Sequence, residues 1–136
     1  MNYEKRLKME SLNLVLSVLE ETFSIHRLAP DASIPETISE CDFYSLSKTT
    51  EELSLVCPEH LAVKSENSNP DWKCLKVAGP LDFKLTGILA GITNVLAVEK
   101  ISVFAISSFD TDYILIKKQN LTTSISALEG AGYQVN

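Results

Sequence analysis

No run in this sequence approaches the roughly 18 consecutive apolar residues that a membrane-crossing helix needs. Basic residues are in short supply: 12 Lys and Arg stand against 18 Asp and Glu, a formal charge of −6. The deficit lies in residues 1–68, with 6 basic and 12 acidic residues, whereas residues 69–136 hold 6 of each. Without a basic stripe, the phosphate-neutralising term that drives nucleic-acid binding has no source. The acidic surplus reads as a solvated surface that favours solubility. Cysteines number 3, an odd count without paired spacing. That argues against a secreted disulfide framework and for free thiols in a reducing cytosol. The Asn120-Leu121-Thr122 tripeptide would matter as a glycosylation acceptor only in a secreted chain. The opening Met1-Asn2-Tyr3-Glu4-Lys5-Arg6 is charged and leads into no compact apolar segment, so no signal peptide is expected.

What is present is an ordinary globular composition. The chain has 136 residues, 45% apolar and 22% charged, enough apolar mass to offset ordering entropy and of single-domain size. The polar stretch Lys64–Asp71 has the composition of a loop and divides the chain near its middle. After it, Trp72–Val77 reads as a strand closed by Gly79-Pro80. Asp82 stands at a plausible helix N-cap. Leu85, Ile88, Leu89, Ile92 and Leu96 follow at helical spacing, predicting a helix over about 83–98. Ile101–Ser107 and Tyr113–Ile116 read as strands joined by the short link Ser108–Asp112, an antiparallel hairpin. Asn120 caps a second expected helix, with Leu121, Ile125 and Leu128 on one face and Gly130 and Gly132 at its end. A short last strand covers 133–136. The order is β-α-β-β-α-β, the split βαβ or ferredoxin-like arrangement.

The first half reads as a worn copy of that order. Leu12, Leu14, Leu16 and Val18 alternate, and Thr22–Leu28 continues extended. Pro30 and Pro35 leave room for only a short turn where a first helix would stand. Cys41–Ser47 and Leu53–Cys57 form a strand pair, and a single turn after Pro58 takes the place of a second helix. The expected organisation is an extension over 1–11, a degenerate unit over 12–68 and a complete unit over 69–136. The fold class is α+β, two tandem ferredoxin-like units with antiparallel sheets and helices on one face.

Several segments, in order, carry a family resemblance. Leu81–Leu89 followed by Ile101–Ile116 resembles the ACT domain, and Leu53–Glu59 and Trp72–Pro80 extend the similarity to small bacterial proteins built of two tandem ACT units. Phe109-Asp110-Thr111-Asp112-Tyr113 is also similar to the ACT repeats of the animal cytosolic arginine sensors. The resemblance implies a non-catalytic regulatory protein that binds an amino acid or related small metabolite at an interface between ACT units. The ligand would lie by the loop entering the first helix. The resemblance further implies a homodimer acting through a protein partner; with the free thiols read above, the expected setting is cytoplasmic, and no nucleic acid, membrane, metal or cofactor is expected.

The candidate ligand-binding set is Asp82, Thr86, Gly87, Ile88, Ser107, Ser108, Phe109, Asp110, Thr111 and Asp112. A helix N-terminus near Asp82 offers unpaired N–H groups and a positive dipole end to a carboxylate. Gly87 either lets a ligand approach the backbone or lets the helix pack closely. Thr86 adds a hydroxyl. Asp110 and Asp112 are acceptors for an ammonium or guanidinium group, and turn chemistry explains an Asp at these positions equally well. By resemblance to the arginine sensors, Asp112 would face the ligand. Phe109 is either a pocket wall or core, and Ser107, Ser108 and Thr111 are either hydroxyl donors or turn formers.

Enzymatic readings fare worse. Asp110-Thr111-Asp112 after an apolar strand has the outline of a phosphoaspartate phosphatase motif, but it sits in a tight hairpin rather than before a crossover helix. Cys57 and His60 lie near each other in sequence, yet Pro58 intervenes and apolar Leu55 and Val56 favour an inert buried thiol. No pair among Cys41, Cys57, His60 and Cys74 has zinc-site spacing. His26 reads as a partly exposed strand residue. No glycine-rich phosphate loop is present. An RNA-recognition module would need an aromatic and basic strand pattern that is missing. The alternative from another class is a dimerisation or protein-interaction module without a ligand.

Overall fold

The computed structural model describes residues 14–79 and 86–136. They form strands β1 (Val15–Val18), β2 (Phe23–Leu28), β3 (Ser45–Lys48), β4 (Leu53–Pro58), β5 (Asn67–Val77), β6 (Val103–Ser107), β7 (Asp112–Lys117) and β8 (Gln134–Val135). Helices are α1 (Ile88–Val98) and α2 (Leu121–Gly130), with 3-10 turns at Glu36–Glu40 and Lys118–Asn120. The fold is α+β, and among the strand pairs with a described register all are antiparallel apart from β1 with β8. Among the described residues no helix is long and apolar enough to cross a membrane.

The chain divides into two compact units, residues 20–72 and, outside them in sequence, residues up to 19 together with 73–136. The nested unit has strand order β3-β4-β2-β5, using the first part of β5. That is the ferredoxin-like order with both helices reduced. Pro35 precedes the 3-10 turn and Pro30 lies upstream, so no longer helix forms there. The turn region still does a helix's packing. Ala32, Ile34 and Ile38, with Leu61 and Val63, cover Leu28, Leu53, Leu55 and Cys57.

The outer unit runs β5-α1-β6-β7-α2-β8, with sheet order β8-β1-β5-β7-β6. This is the ferredoxin-like order with β1 inserted between β5 and β8. Alternation along β1 suggests nothing about its partner. Its pairing, Leu16 with Val77 and Leu16 with Val135, places it in the unit of the C-terminal residues rather than beside β2. Leu16, Leu75, Val77, Ile114 and Ile116 form the sheet side of one core, and Ile88, Ile92, Leu96 and Leu128 form the helix side. Both helices therefore lie on one face. Each buried aliphatic side chain of this kind contributes about 1.5–3 kcal/mol.

Three boundaries differ most from the sequence expectation, and the first is β3, which begins at Ser45 rather than Cys41 because residues 41–43 form a bend. β5 starts at Asn67, inside the polar stretch read as loop, because Asn67, Ser68 and Asn69 pair with Arg27, His26 and Ile25 of β2. Long-range pairing overrides turn composition there. Helix α1 starts at Ile88, not near residue 83. Its N-cap is Gly87, left-handed at φ 79°. Asp82, expected at the N-cap, lies outside the described residues, as do residues 1–11 and Leu12.

Both helices end in the same way. After α2, Gly132 is left-handed at φ 103°, and the Tyr133 and Gly132 N–H groups donate to the Leu128 and Glu129 carbonyls. After α1, Lys100 takes the left-handed position at φ 58°, and Ile101 and Lys100 donate to Leu96 and Ala97. These are Schellman closures, with the apolar residue beyond each folding back onto the core.

Candidate functional site

The β6–β7 register pairs Ser107 with Asp112, so the hairpin link is Ser108–Thr111. Strand ends place four polar groups close together. The Ser107 hydroxyl donates to Asp112 Oδ1 at 2.6 Å. The Ser108 N–H and hydroxyl both donate to the Thr111 carbonyl, at 2.8 and 2.9 Å. The Thr111 N–H donates back to Ser108 Oγ at 3.3 Å. Phe109 and Asp110 stand at the tip, Phe109 with 80% of its surface exposed.

Thr111 does more than close the turn. Its side chain is buried, and its hydroxyl donates to the Val77 carbonyl at 2.6 Å. Val77 ends β5, and the chain from there leads to Thr86, Gly87 and α1. The hairpin is thus anchored at the start of the segment that enters the helix. Thr86 is exposed, Gly87 half-buried, and Ile88 turns into the core. Among the described residues no side chain caps α1, and the Gly91 N–H donates to the Gly87 carbonyl at 2.8 Å. Lys76 Nζ lies 6.0 Å from the Tyr113 ring centroid, at the outer limit of a cation–π contact. The geometry therefore gathers Ser107, Ser108, Thr111 and Asp112 and joins them to the end of β5. The Val77 carbonyl as anchor could not be read from the sequence, since Thr in a turn signals nothing about a partner 34 residues away.

Chemically, the hairpin offers one carboxylate already oriented by a hydroxyl, with further acceptor capacity on its oxygens. That suits a cationic group. The helix entry suits an anionic one.

The thiols and histidines of the nested unit behave otherwise. Burial pushes the Cys57 thiol up to about 11, with the neighbouring Cys41 adding to the rise. His60 Nε2 lies 3.5 Å from Glu21 Oε2. A thiol held that high is no nucleophile near neutral pH. Cys41 is raised by desolvation and then by Glu21, Asp42 and Glu40. These groups line a cavity of about 440 Å³ that the sequence did not signal. In the outer unit, burial lifts Cys74 to about 12 against the opposing charge of Lys73. His26 is buried rather than partly exposed, with Nδ1 2.8 Å from Ser65 Oγ.

Known proteins share this fold. The ACT domain family model matches residues 67–130, and a second model, of an N-terminal domain, matches residues 21–63. The chain is 28% identical over 127 residues to the cytosolic arginine sensor for mTORC1 subunit 1 of Pongo abelii, covering 85% of this chain and 38% of that protein. It thus spans well under half the length of that curated relative. A crystal structure of a protein from Agrobacterium tumefaciens superposes with TM-score 0.83 at 30% identity, over 90% of this chain and 92% of the other. The regulatory subunit of aspartate kinase from Thermus thermophilus, in its ligand-free form, shares the fold with TM-score 0.61 at 10% identity, over 89% and 98% of the two chains. Strand order, helix placement and these matches agree: this is an ACT-domain protein, its ACT domain matched over residues 67–130.

Proposed function

We propose that this chain is a non-catalytic regulatory protein that binds an amino acid or related small metabolite at an interface between ACT-type units. The hairpin residues Ser107, Ser108, Thr111 and Asp112 would take the ligand's cationic group, and the entry to α1 at Thr86 and Gly87 its carboxylate. Phe109 and Asp110 close over it from the tip. The observation that carries the reading is the buried Thr111–Val77 hydrogen bond, which holds the hairpin against the end of the strand that leads into the helix. The named relative, an arginine sensor, supports an amino acid as ligand. The aspartate kinase regulatory subunit supports a regulatory role through shared fold.

The mechanism is linkage: a ligand that binds one arrangement of two units better than another shifts association with a second copy or a downstream partner. The proposed setting is cytoplasmic and homodimeric, and no cofactor takes part. A ligand-free interaction module is the alternative, favoured by the exposed strand edge at β3. Isothermal calorimetry with the twenty amino acids separates the two. Saturable heat with one or a few of them supports the sensor, and its absence across the set supports the module.

A further inference from the structure

Residues 20–72 hold 11 Asp and Glu against 3 Lys and Arg, a charge of −8, whereas the rest of the chain holds 7 against 9. The acidic surplus is a property of the nested unit. Part of it surrounds the cavity of about 440 Å³, a volume within the roughly 300–1,000 Å³ of small-molecule sites. Both helix positions of this unit are taken by short turns, and the cavity opens between them. Its walls are the approach to β2 at Glu21, the end of the 3-10 turn and the bend after it at Glu40 and Asp42, and the turn after β4 at His60, Leu61 and Ala62.

The lining is one-sided in charge. Three carboxylates line the cavity, and among its described lining residues there is no Lys or Arg. His60, with Nε2 3.5 Å from Glu21 Oε2, is a cation only while protonated. The carboxylates also act on one place. After burial, Glu21, Asp42 and Glu40 are what hold the Cys41 thiol above its ordinary value, and Cys41 lies on the same wall.

These carboxylates ring a volume rather than a point. Among the described residues no group of three His, Cys, Asp or Glu side chains is placed to hold a metal ion. A bare divalent cation needs its oxygens within about 2.0–2.6 Å and finds no such cage here. Separated carboxylates around a roomy space fit a cation whose charge is spread over more than one nitrogen. Leu61 and Ala62 offer an apolar wall to the carbon chain between those nitrogens, as apolar surface does for a lysine stem. A negative unit around a negative cavity also raises the local concentration of such a cation.

We infer that this cavity is a binding site for a small aliphatic polyamine, with its ammonium groups on Glu21, Glu40 and Asp42 and its methylenes against Leu61 and Ala62. The site shares no residue with the proposed amino-acid site and stands independently of that reading.

An NMR titration of the full chain with diaminobutane at fixed pH tests it, because the chain has only 2 histidines. The His60 ring signals should shift to saturation, while those of His26, in contact with Ser65, stay in place. Glu40→Gln together with Asp42→Asn should raise the dissociation constant about tenfold. Both side chains are exposed, so the fold is not at stake. Butylamine, with one ammonium group, should bind more weakly than the diamine, and magnesium at equal concentration should not reproduce the shift. A titration without saturation overturns the inference. So does a shift that the double variant keeps in full, or one that magnesium matches, which would be charge screening alone.

Discussion

The Thr111 hydroxyl donates to the Val77 carbonyl at 2.6 Å from a buried side chain. This one bond joins the β6–β7 hairpin to the end of β5. Thr111→Val keeps the side-chain shape and leaves the carbonyl without that donor. The expected cost is about 1–3 kcal/mol of stability, the penalty for a buried polar group left unpaired. Urea unfolding measures it. The same variant should weaken ligand stabilisation beyond its effect on folding, because the hairpin loses its anchor.

Asp112 is half-buried and held by Ser107. If its carboxylate receives the ligand's cationic group, Asp112→Asn should abolish ligand-dependent stabilisation while changing the unliganded midpoint little. Thermal unfolding with and without ligand checks both halves. A variant that loses stability but keeps the ligand effect would confine Asp112 to hairpin geometry.

Two left-handed positions give opposite expectations. Gly87 at φ 79° begins α1, and Gly87→Ala should cost about 1–2 kcal/mol because a Cβ crowds the following carbonyl there. Lys100 occupies the equivalent strained conformation at φ 58°, and Lys100→Gly should gain up to about 1 kcal/mol. Chemical denaturation of both variants measures the pair.

His26 supplies the pH dependence. Burial holds its imidazole below the ordinary value of 6.5, in hydrogen-bond contact with Ser65. As pH falls through 6.5, the unfolded chain takes up a proton that the folded chain resists, so the unfolded state binds more protons. Stability is full above that value and declines as pH falls towards the folded value. Urea midpoints measured at about pH 7.5 and about pH 5.5 should fall with acid, and His26→Gln should flatten the slope.

Much of this fold was legible in its sequence, and the failures have physical causes. The Ile88, Ile92 and Leu96 spacing identified the α1 core face, and the short link Ser108–Asp112 identified the hairpin, although Asp112 itself belongs to β7. Pro30 and Pro35 correctly reduced the first helix of the nested unit to a turn. The beginning of α1 was misread because Leu85 continues the apolar rhythm past a glycine whose φ breaks the helix. Asn67–Asn69 were misread because their strand depends on β2, far away in sequence, as the His26–Ser68 register shows. The partner of β1 was illegible for the same reason: alternation reveals a face and says nothing about a neighbour. In the candidate site, residue types were readable, while the Thr111–Val77 anchor was not.

The central claim is that the hairpin and helix entry bind an amino acid. Thermal unfolding of the full chain against each of the twenty amino acids, repeated with Asp112→Asn, tests it most directly. At 100 times its dissociation constant a ligand should add about 2.7 kcal/mol, a plain rise in midpoint that the variant lacks. An unchanged midpoint with every amino acid, or a rise that Asp112→Asn retains in full, would contradict it.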